Sequence, residues 1–600
     1  MTRPRPRSNF FADLLPKPDA PLPLWMIFPV IFAALYLTHW TLLRLPYYWD
    51  EAGYYIPAAW DFFRTGSMIP STTISNAHPP LPSIYLALWW KLCGFYPEVT
   101  REAVLAVAAT GLLAVWKLAQ RLNPNPLVAF WTLVLTGLYP IWFAQSTLAH
   151  ADIFAAAATL WALVYALPDD ARKPGASLWP AAIWFTLAAL AKETAIVTPI
   201  ALAAFELTAG FRKAKPIRRR SYQLAAAYSA CLIPLAAWYG WHYTKTGFLF
   251  GNPEFLRYNA TSTLDPVRVL AAFGHRLLHL LAHMNMFVPV LCTLAAMVLD
   301  PVKDARGQTL ARVSFPAQAR IYAILLANAL AFSVLGGALL TRYLLPMYPL
   351  VLLVAVSTFH RRVRYWQLLT AFSAAAFLIA LFINPPYGFA PEDNLTYAHV
   401  IRLHQQAIRQ LTAKFPGSTV LTAWPVSDEL TRPELGYVKT AWDVDRIEDF
   451  TAAQIDRASK TPWEYSSALL FSTKEQPAAL PFHLNSPATE EQYFGLHRDL
   501  SAPEIAHQLD GDLIWQTTDG LQWAAVLRFH RAVEAQLSTS SSPVRRCGFQ
   551  AGLLPVYTYN QARSDQLCPI PRPSPVPTVF RRHAPVFSRA EGADSLESRR

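Results

Sequence analysis

Asp50 and Glu51 stand side by side in YYWDEAGYY, directly after an apolar run. Two adjacent carboxylates beside hydrocarbon are expensive, so ionisable groups placed there point to function. Carboxylates so placed can take part in general acid–base chemistry. Tyr47, Tyr48, Trp49, Tyr54 and Tyr55 around them read as an interfacial aromatic belt, which accounts for the rings and not for the acids. His150 and Asp152, in STLAHADIF, open another apolar run; the plain alternative is a helix start, where an acid complements the dipole. His78 precedes Pro79-Pro80-Leu81. The prolines suit a helix entry, and His78 there can meet an anion or be a surface histidine before a turn. Lys192-Glu193 interrupts an apolar stretch, and Arg342-Tyr343 lies in LLTRYLLPMYP. Lys192 and Arg342 are the residue types that hold a phosphate, Arg342 through two hydrogen bonds. Their bland readings are a self-neutralising loop pair and a snorkelling arginine.

The elements that must position these residues are membrane helices. Of 600 residues, 53% are hydrophobic and 15% charged, against about 25% charged in soluble domains. This excludes a disordered chain, a coiled coil and a collagen-like chain. The net charge of +12 sits in short clusters between apolar runs, the pattern of cytoplasmic loops rather than of a nucleic-acid surface. A bilayer core needs about 20 apolar residues per helix. Candidate runs lie near 23–43, 101–121, 126–144, 150–167, 178–191, 195–210, 222–243, 276–299, 320–338, 343–358 and 366–384, with a short, proline-led stretch at 79–95. If 79–95 only dips into or lies along the membrane, the basic clusters at Arg212–Arg220, Lys303–Arg320 and Arg361–Arg364 all fall inside. The N-terminal segment 1–22 is then cytoplasmic and the C-terminus extracytoplasmic. The outer face gathers 45–100, 145–152, 191–194, 244–275, 339–342 and everything after about 385. A loop as long as 45–100 is usually functional.

Beyond the transmembrane domain, 23–384, the chain changes character. Residues 395–415 read as an amphipathic helix, and 418–424, 467–472 and 523–529 as strands, so 385–568 is expected to form an extracytoplasmic soluble α/β domain. The tail 569–600, rich in Pro, Ser and Arg, reads as disordered. An oxidising compartment would allow Cys547 and Cys568 to form a disulfide. Sequons stand at Asn259 and Asn394. No P-loop, no GxGxxG after a strand and no HExxH occurs, so no cofactor or metal is expected.

The order of these elements resembles that of the GT-C membrane glycosyltransferases, in particular the protein O-mannosyltransferases and the lipid A aminoarabinose transferases. An acid pair follows the first span. Then come HPPL, a second acid at Asp152, the Lys-Glu junction, RYLLP and an outer soluble domain. The resemblance covers roughly residues 25–385. It implies a polytopic α-helical membrane protein of about 11–13 transmembrane helices that takes a sugar from a polyprenyl-phosphate carrier and transfers it with inversion to a hydroxyl. It places Asp50, with Glu51 and Asp152, at the reaction centre. His78, Lys192, Glu193, Arg342, Tyr343, Tyr54, Tyr55 and His150 would contact the carrier phosphate or the sugar. The residue before PPL contacts the carrier phosphate in this group; it is a lysine in the aminoarabinose branch and His78 here.

The expected partners are a polyprenyl-phosphate-linked donor, a hydroxyl acceptor (lipid, glycan or protein) and the bilayer of the plasma or inner membrane. The competing readings are a secondary transporter and a non-catalytic envelope-assembly protein. Transporters commonly show inverted repeats and charges at the midplane. Here no repeat is visible and the acids gather at one face.

Overall fold

The computed structural model describes residues 23–168, 173, 176–211, 214–251, 265–335, 339–472, 498–520 and 522–530. The N-terminal segment 1–22, the Asn259 sequon, the Cys547–Cys568 pairing and the tail 569–600 lie outside the described residues.

Each of the eleven apolar runs falls on a helix or a helix pair. The chain marks the entries of these helices. Pro97, Pro126, Pro140, Pro266 and Pro349 sit at first-turn positions, where a missing N–H costs nothing. Asn125 accepts from Leu127 N at 2.9 Å, and Asp265 from Val267 N at 2.8 Å, as side-chain caps. Two runs are broken. Tyr139, extended before Pro140, divides Pro126–Leu138 from Pro140–Gln145. Between Pro266–Asn285 and Phe287–Val298 the axis turns by 97°.

By length and composition five described helices could each cross a bilayer: Leu24–Leu42, Pro97–Leu122, Glu193–Phe211, Lys215–Thr246 and Phe315–Val334. The bent pair makes a sixth if it counts as one span. Pro126–Leu138, Ala151–Ala166, Trp179–Ala191 and Trp366–Phe382 are apolar but shorter. The 79–95 stretch becomes the 13-residue helix Leu81–Cys93. At 1.5 Å per residue it reaches about 20 Å, short of the roughly 30 Å hydrocarbon core.

One core runs through the helical part, rich in small residues such as Ala108, Ala109, Ala156, Ala162 and Ala189 that let backbones approach closely. Helices Ala151–Ala166, Val197–Phe211 and Phe315–Val334 are pinned at one end by a buried ion pair. Arg320 donates to Glu206 at 3.1 Å and to the Leu167 carbonyl at 2.9 Å. Their other ends carry Asp152, Lys192 and the approach to Arg342.

The α/β part opens with the helix Thr396–Lys414. Its sheet has five strands: β1 (Val420–Ala423), β2 (Val444–Ile447), β3 (Ser467–Phe471), β4 (Gly511–Asp519) and β5 (Gln522–Phe529), in the order β2-β1-β3-β5-β4. β1 runs parallel to β2 and β3, while β5 is antiparallel to β3 and β4. Every residue of β1 and β3 is buried, as central strands covered on both faces must be. β2 and the long, half-exposed β4 were not visible in the sequence. Leu42, Leu45, Tyr48, Phe143, Leu381, Tyr397 and Ile401 form a smaller cluster that joins the helical part to this domain.

Candidate active site

Five separate segments meet around one guanidinium. Arg342 lies in the short 3₁₀ turn Thr341–Leu344 and is buried. Its Nη2 bonds to Asp50 and its Nη1 to Glu392, while its Nε lies 3.3 Å from Asp152 Oδ2. Lys192, also buried, donates to the other Asp152 oxygen at 2.7 Å and stands 4.3 Å above the Tyr343 ring. Asp152 is in the first turn of Ala151–Ala166. Lys192 caps the end of Trp179–Ala191 in extended conformation, which turns its side chain back towards Asp152. Below these groups is a cavity of about 20 Å³ lined by Thr159, Thr198 and Asn328, room for about one water molecule.

Asp50 is the open member. Its side chain is 34% exposed, and its second oxygen has no hydrogen bond among the described residues. It precedes a π-helical turn, Glu51–Tyr55, a deviation frequent at functional sites. Tyr54 and Tyr55 line the approach. His78 stacks on Tyr55 at 5.9 Å and meets Tyr54 edge-on at 5.3 Å. His78 Nδ1 lies 3.0 Å from Glu193 Oε2. Burial, then the charges of Asp152 and Asp50, push the Tyr55 hydroxyl well above its ordinary value, so it stays a donor. His150 is fully buried between Tyr55 and Gln145. Burial, then Arg342, Lys192 and Arg101, push it well below its ordinary value and keep it neutral.

The backbone is strained at two positions that adjoin site residues. Trp49 (φ 46°), Ala77 (φ 58°), Met284 (φ 48°) and Asn285 (φ 63°) are non-glycine residues in the left-handed region. Trp49 immediately precedes Asp50 and Ala77 immediately precedes His78. Such conformations cost about 1–3 kcal/mol each and persist where the surroundings over-determine them.

The structure therefore brings the eleven candidate site residues into one neighbourhood, though Glu51 faces another way. Glu51 was expected to share the chemistry with Asp50. Its carboxylate instead turns inward and is fully engaged: Arg101 donates to it at 2.8 Å, Ala149 N at 2.7 Å and Tyr48 N at 2.9 Å. It is fully buried and does not face the open side of Asp50.

Four residues were missed. Glu392 and Asp393 form a second acid pair, just after the last apolar run. Glu392 reaches Arg342, and Asp393 is held by Thr341 and by His283 Nε2 at 2.9 Å. The one available signal was that this pair mirrors Asp50-Glu51, but in PPYGFAPEDN it looks like a solvated turn. Arg101 reads in the sequence as an interfacial arginine, and nothing in the sequence marks His283.

Residues 77–241 match the family described as dolichyl-phosphate-mannose-protein mannosyltransferase. Two solved structures of ArnT from Cupriavidus metallidurans, one bound to undecaprenyl phosphate and one in the apo state, are similar to this chain. Each shows 15% identity and a TM-score of 0.48, covering 83% and 84% of this chain and 98% of the ArnT chain. No curated protein sequence matches significantly. The family match runs from the residue before His78 through Asp152, Lys192 and Glu193, so these four of the gathered residues lie within it.

Proposed function

We propose that this chain is an inverting membrane glycosyltransferase that moves a sugar from a polyprenyl-phosphate carrier to a hydroxyl acceptor on the outer face of the plasma or inner membrane. The observation that carries the reading is the junction of a half-exposed carboxylate, Asp50, with two buried cations, Arg342 and Lys192, at one end of the helices. The family match over 77–241 supports the donor class.

Asp50 acts as the general base. The bond to Arg342 fixes one of its oxygens and leaves the other to receive the acceptor's proton. As the acceptor oxygen bonds to the anomeric carbon, the bond from that carbon to the carrier phosphate oxygen breaks on the opposite face. The leaving phosphate takes the electron pair, and Lys192 and Arg342 stabilise the developing charge. The proton on Asp50 passes to solvent through its exposed side. Asp152 lies between the two cations and holds both in place. Tyr55, His78 and Tyr343 form the walls. Glu51 with Arg101 fixes the loop that carries Asp50.

The test is transfer by purified protein in detergent. Labelled polyprenyl-phosphate sugars are offered with a membrane extract, to wild type and to Asp50→Asn. Label moved to an acceptor by wild type and not by the variant supports the reading. Full transfer by a folded Asp50→Asn would sink it.

A further inference from the structure

We propose that Glu392 is the resting occupant of the carrier-phosphate site: it holds the Arg342 guanidinium until the donor's phosphate displaces it. The inference rests on the glycosyltransferase reading and adds a control on that site.

Arg342 recognises a phosphate through the paired N–H groups of its fork. Both terminal nitrogens are already taken, Nη2 by Asp50 and Nη1 by Glu392, and Nε faces Asp152. Each carboxylate occupies part of the fork, so a phosphate gains its full paired N–H face only when a carboxylate yields its place. Asp50 is needed as the base, and Asp152 is fastened by Lys192 at 2.7 Å. Glu392 has no hydrogen bond or ion pair other than Arg342 among the described residues.

Its neighbour is built the other way. Asp393 is tied to Thr341 and to His283, and His283 is itself 3.0 Å from the Tyr387 hydroxyl. Asp393 thus anchors the Pro391–Asp393 turn beside the Arg342 turn, and Glu392 can let go without the loop coming loose.

Charge favours the same exchange. Asp50, Asp152 and Glu392 face two cations, Arg342 and Lys192. With Glu392 ionised the site holds one negative charge in excess; an arriving phosphate adds to it, and loss of the Glu392 charge offsets one of the added charges. The groups facing Glu392 are Arg342, Asp50, Asp393, Asp152 and the Tyr48 hydroxyl. Burial, together with Asp50, Asp393 and Asp152, pushes Glu392 up to about 8 against the pull of Arg342. Below that value Glu392 is neutral and competes weakly with an anion. Above it, Glu392 is ionised and competes.

The probe is polyprenyl monophosphate in detergent, titrated against the full chain, with wild type and Glu392→Gln compared from about pH 7 to about pH 9. The phosphate's own titration is common to both proteins and cancels in the comparison. Expected is binding on the order of tenfold tighter in Glu392→Gln at the high-pH end, where a like charge has been removed from a buried site. The difference should shrink as pH falls. Binding that is unchanged or weaker in the variant makes Glu392 a plain anchor of Arg342 and overturns the proposal. Should the variant fail to fold, wild type alone decides. Its affinity, relative to a soluble phosphate-binding control, must fall as pH rises through Glu392's range, and a flat profile overturns the proposal. If neither protein binds polyprenyl phosphate at any pH, the glycosyltransferase reading falls and takes this inference with it. Binding and transfer that are indifferent to Glu392 remove only the inference.

Discussion

Asp50 and Glu392 grip the two terminal nitrogens of the same guanidinium, although one follows the apolar helix Leu24–His39 and the other follows the apolar helix Trp366–Phe382. Each belongs to an adjacent acid pair, and the two pairs divide their work alike. One acid reaches Arg342. Its neighbour is buried and fastened to the fold, Glu51 to Arg101 and Asp393 to His283 and Thr341. Successive side chains on these turns point in different directions, and here the two acids of each pair face different partners. Arg342 thereby ties both ends of the helical domain to one point.

The division within the first pair predicts two different kinds of failure. Asp50→Asn keeps an oxygen for Arg342 and leaves the half-exposed position intact. Transfer should fall by about 10²–10⁴-fold, the usual worth of a positioned general base. The melting temperature in detergent should stay close to that of wild type. Initial rates of sugar transfer measured beside thermal unfolding decide it, and a large loss of stability in Asp50→Asn would contradict the assignment.

Glu51 should fail through the fold. Arg101 also donates to the Thr147 carbonyl at 2.6 Å and the Pro46 carbonyl at 2.8 Å, so it staples the Asp50 loop to the segment before Asp152. Removing one partner of a buried pair leaves an uncompensated charge, at a cost of about 3–5 kcal/mol. Glu51→Leu and Arg101→Leu should each lower the amount of folded protein. The double variant should be more stable than the sum of the two losses implies, because no lone charge remains. Equal thermal stability of wild type and Glu51→Leu would refute the structural role.

Asp50, Asp152, Lys192 and Arg342 were legible because a charge next to a long apolar run is conspicuous. The helices were legible because each run is apolar on all sides. Glu392 was hidden by its setting: a Pro-, Gly- and Tyr-rich segment makes an acid pair look solvated, and only the fold shows it buried against Arg342. The inward turn of Glu51 is hidden for a related reason, since sequence proximity to Asp50 says nothing about which way a π-helical turn points each side chain. Strands β2 and β4 escaped because Val444–Ile447 and Gly511–Asp519 carry charges and hydroxyls on half-exposed strands, which weakens the apolar alternation.

The α/β part also braces the loop that carries Asp50. Trp424, just after β1, meets Trp49 edge-on at 5.0 Å and lies over Gly53. A Cβ at Gly53 would stand 2.8 Å from Trp424 Cζ2. Further along, Arg432 donates to the Thr72 carbonyl at 2.8 Å, and Tyr47 N donates to the Leu435 carbonyl at 3.2 Å. Gly53→Ala should push the indole away and cost about 1–3 kcal/mol, as overpacking does, with reduced transfer. Gly53→Ala combined with Trp424→Leu should recover part of both losses. Additive losses in the double variant would show that the contact does not couple the domain to the loop.

The two cations should be separable by how they fail. Lys192 meets Asp152 and Tyr343 as a point charge, whereas Arg342 spans Asp50, Asp152 and Glu392 with a planar fork that an ammonium cannot copy. Arg342→Lys keeps the charge and loses the geometry, so transfer should fall by about 10²–10³-fold, the scale of removing one preorganised donor from a developing anion. Lys192→Gln removes charge and leaves Asp152 with Arg342 alone. If both groups stabilise the leaving phosphate, inhibition by the product polyprenyl phosphate should weaken in parallel with kcat in each variant. Product inhibition unchanged in both, alongside a normal kcat, would place the phosphate elsewhere. A loss of kcat with unchanged product inhibition would confine these cations to orienting Asp50 and Asp152.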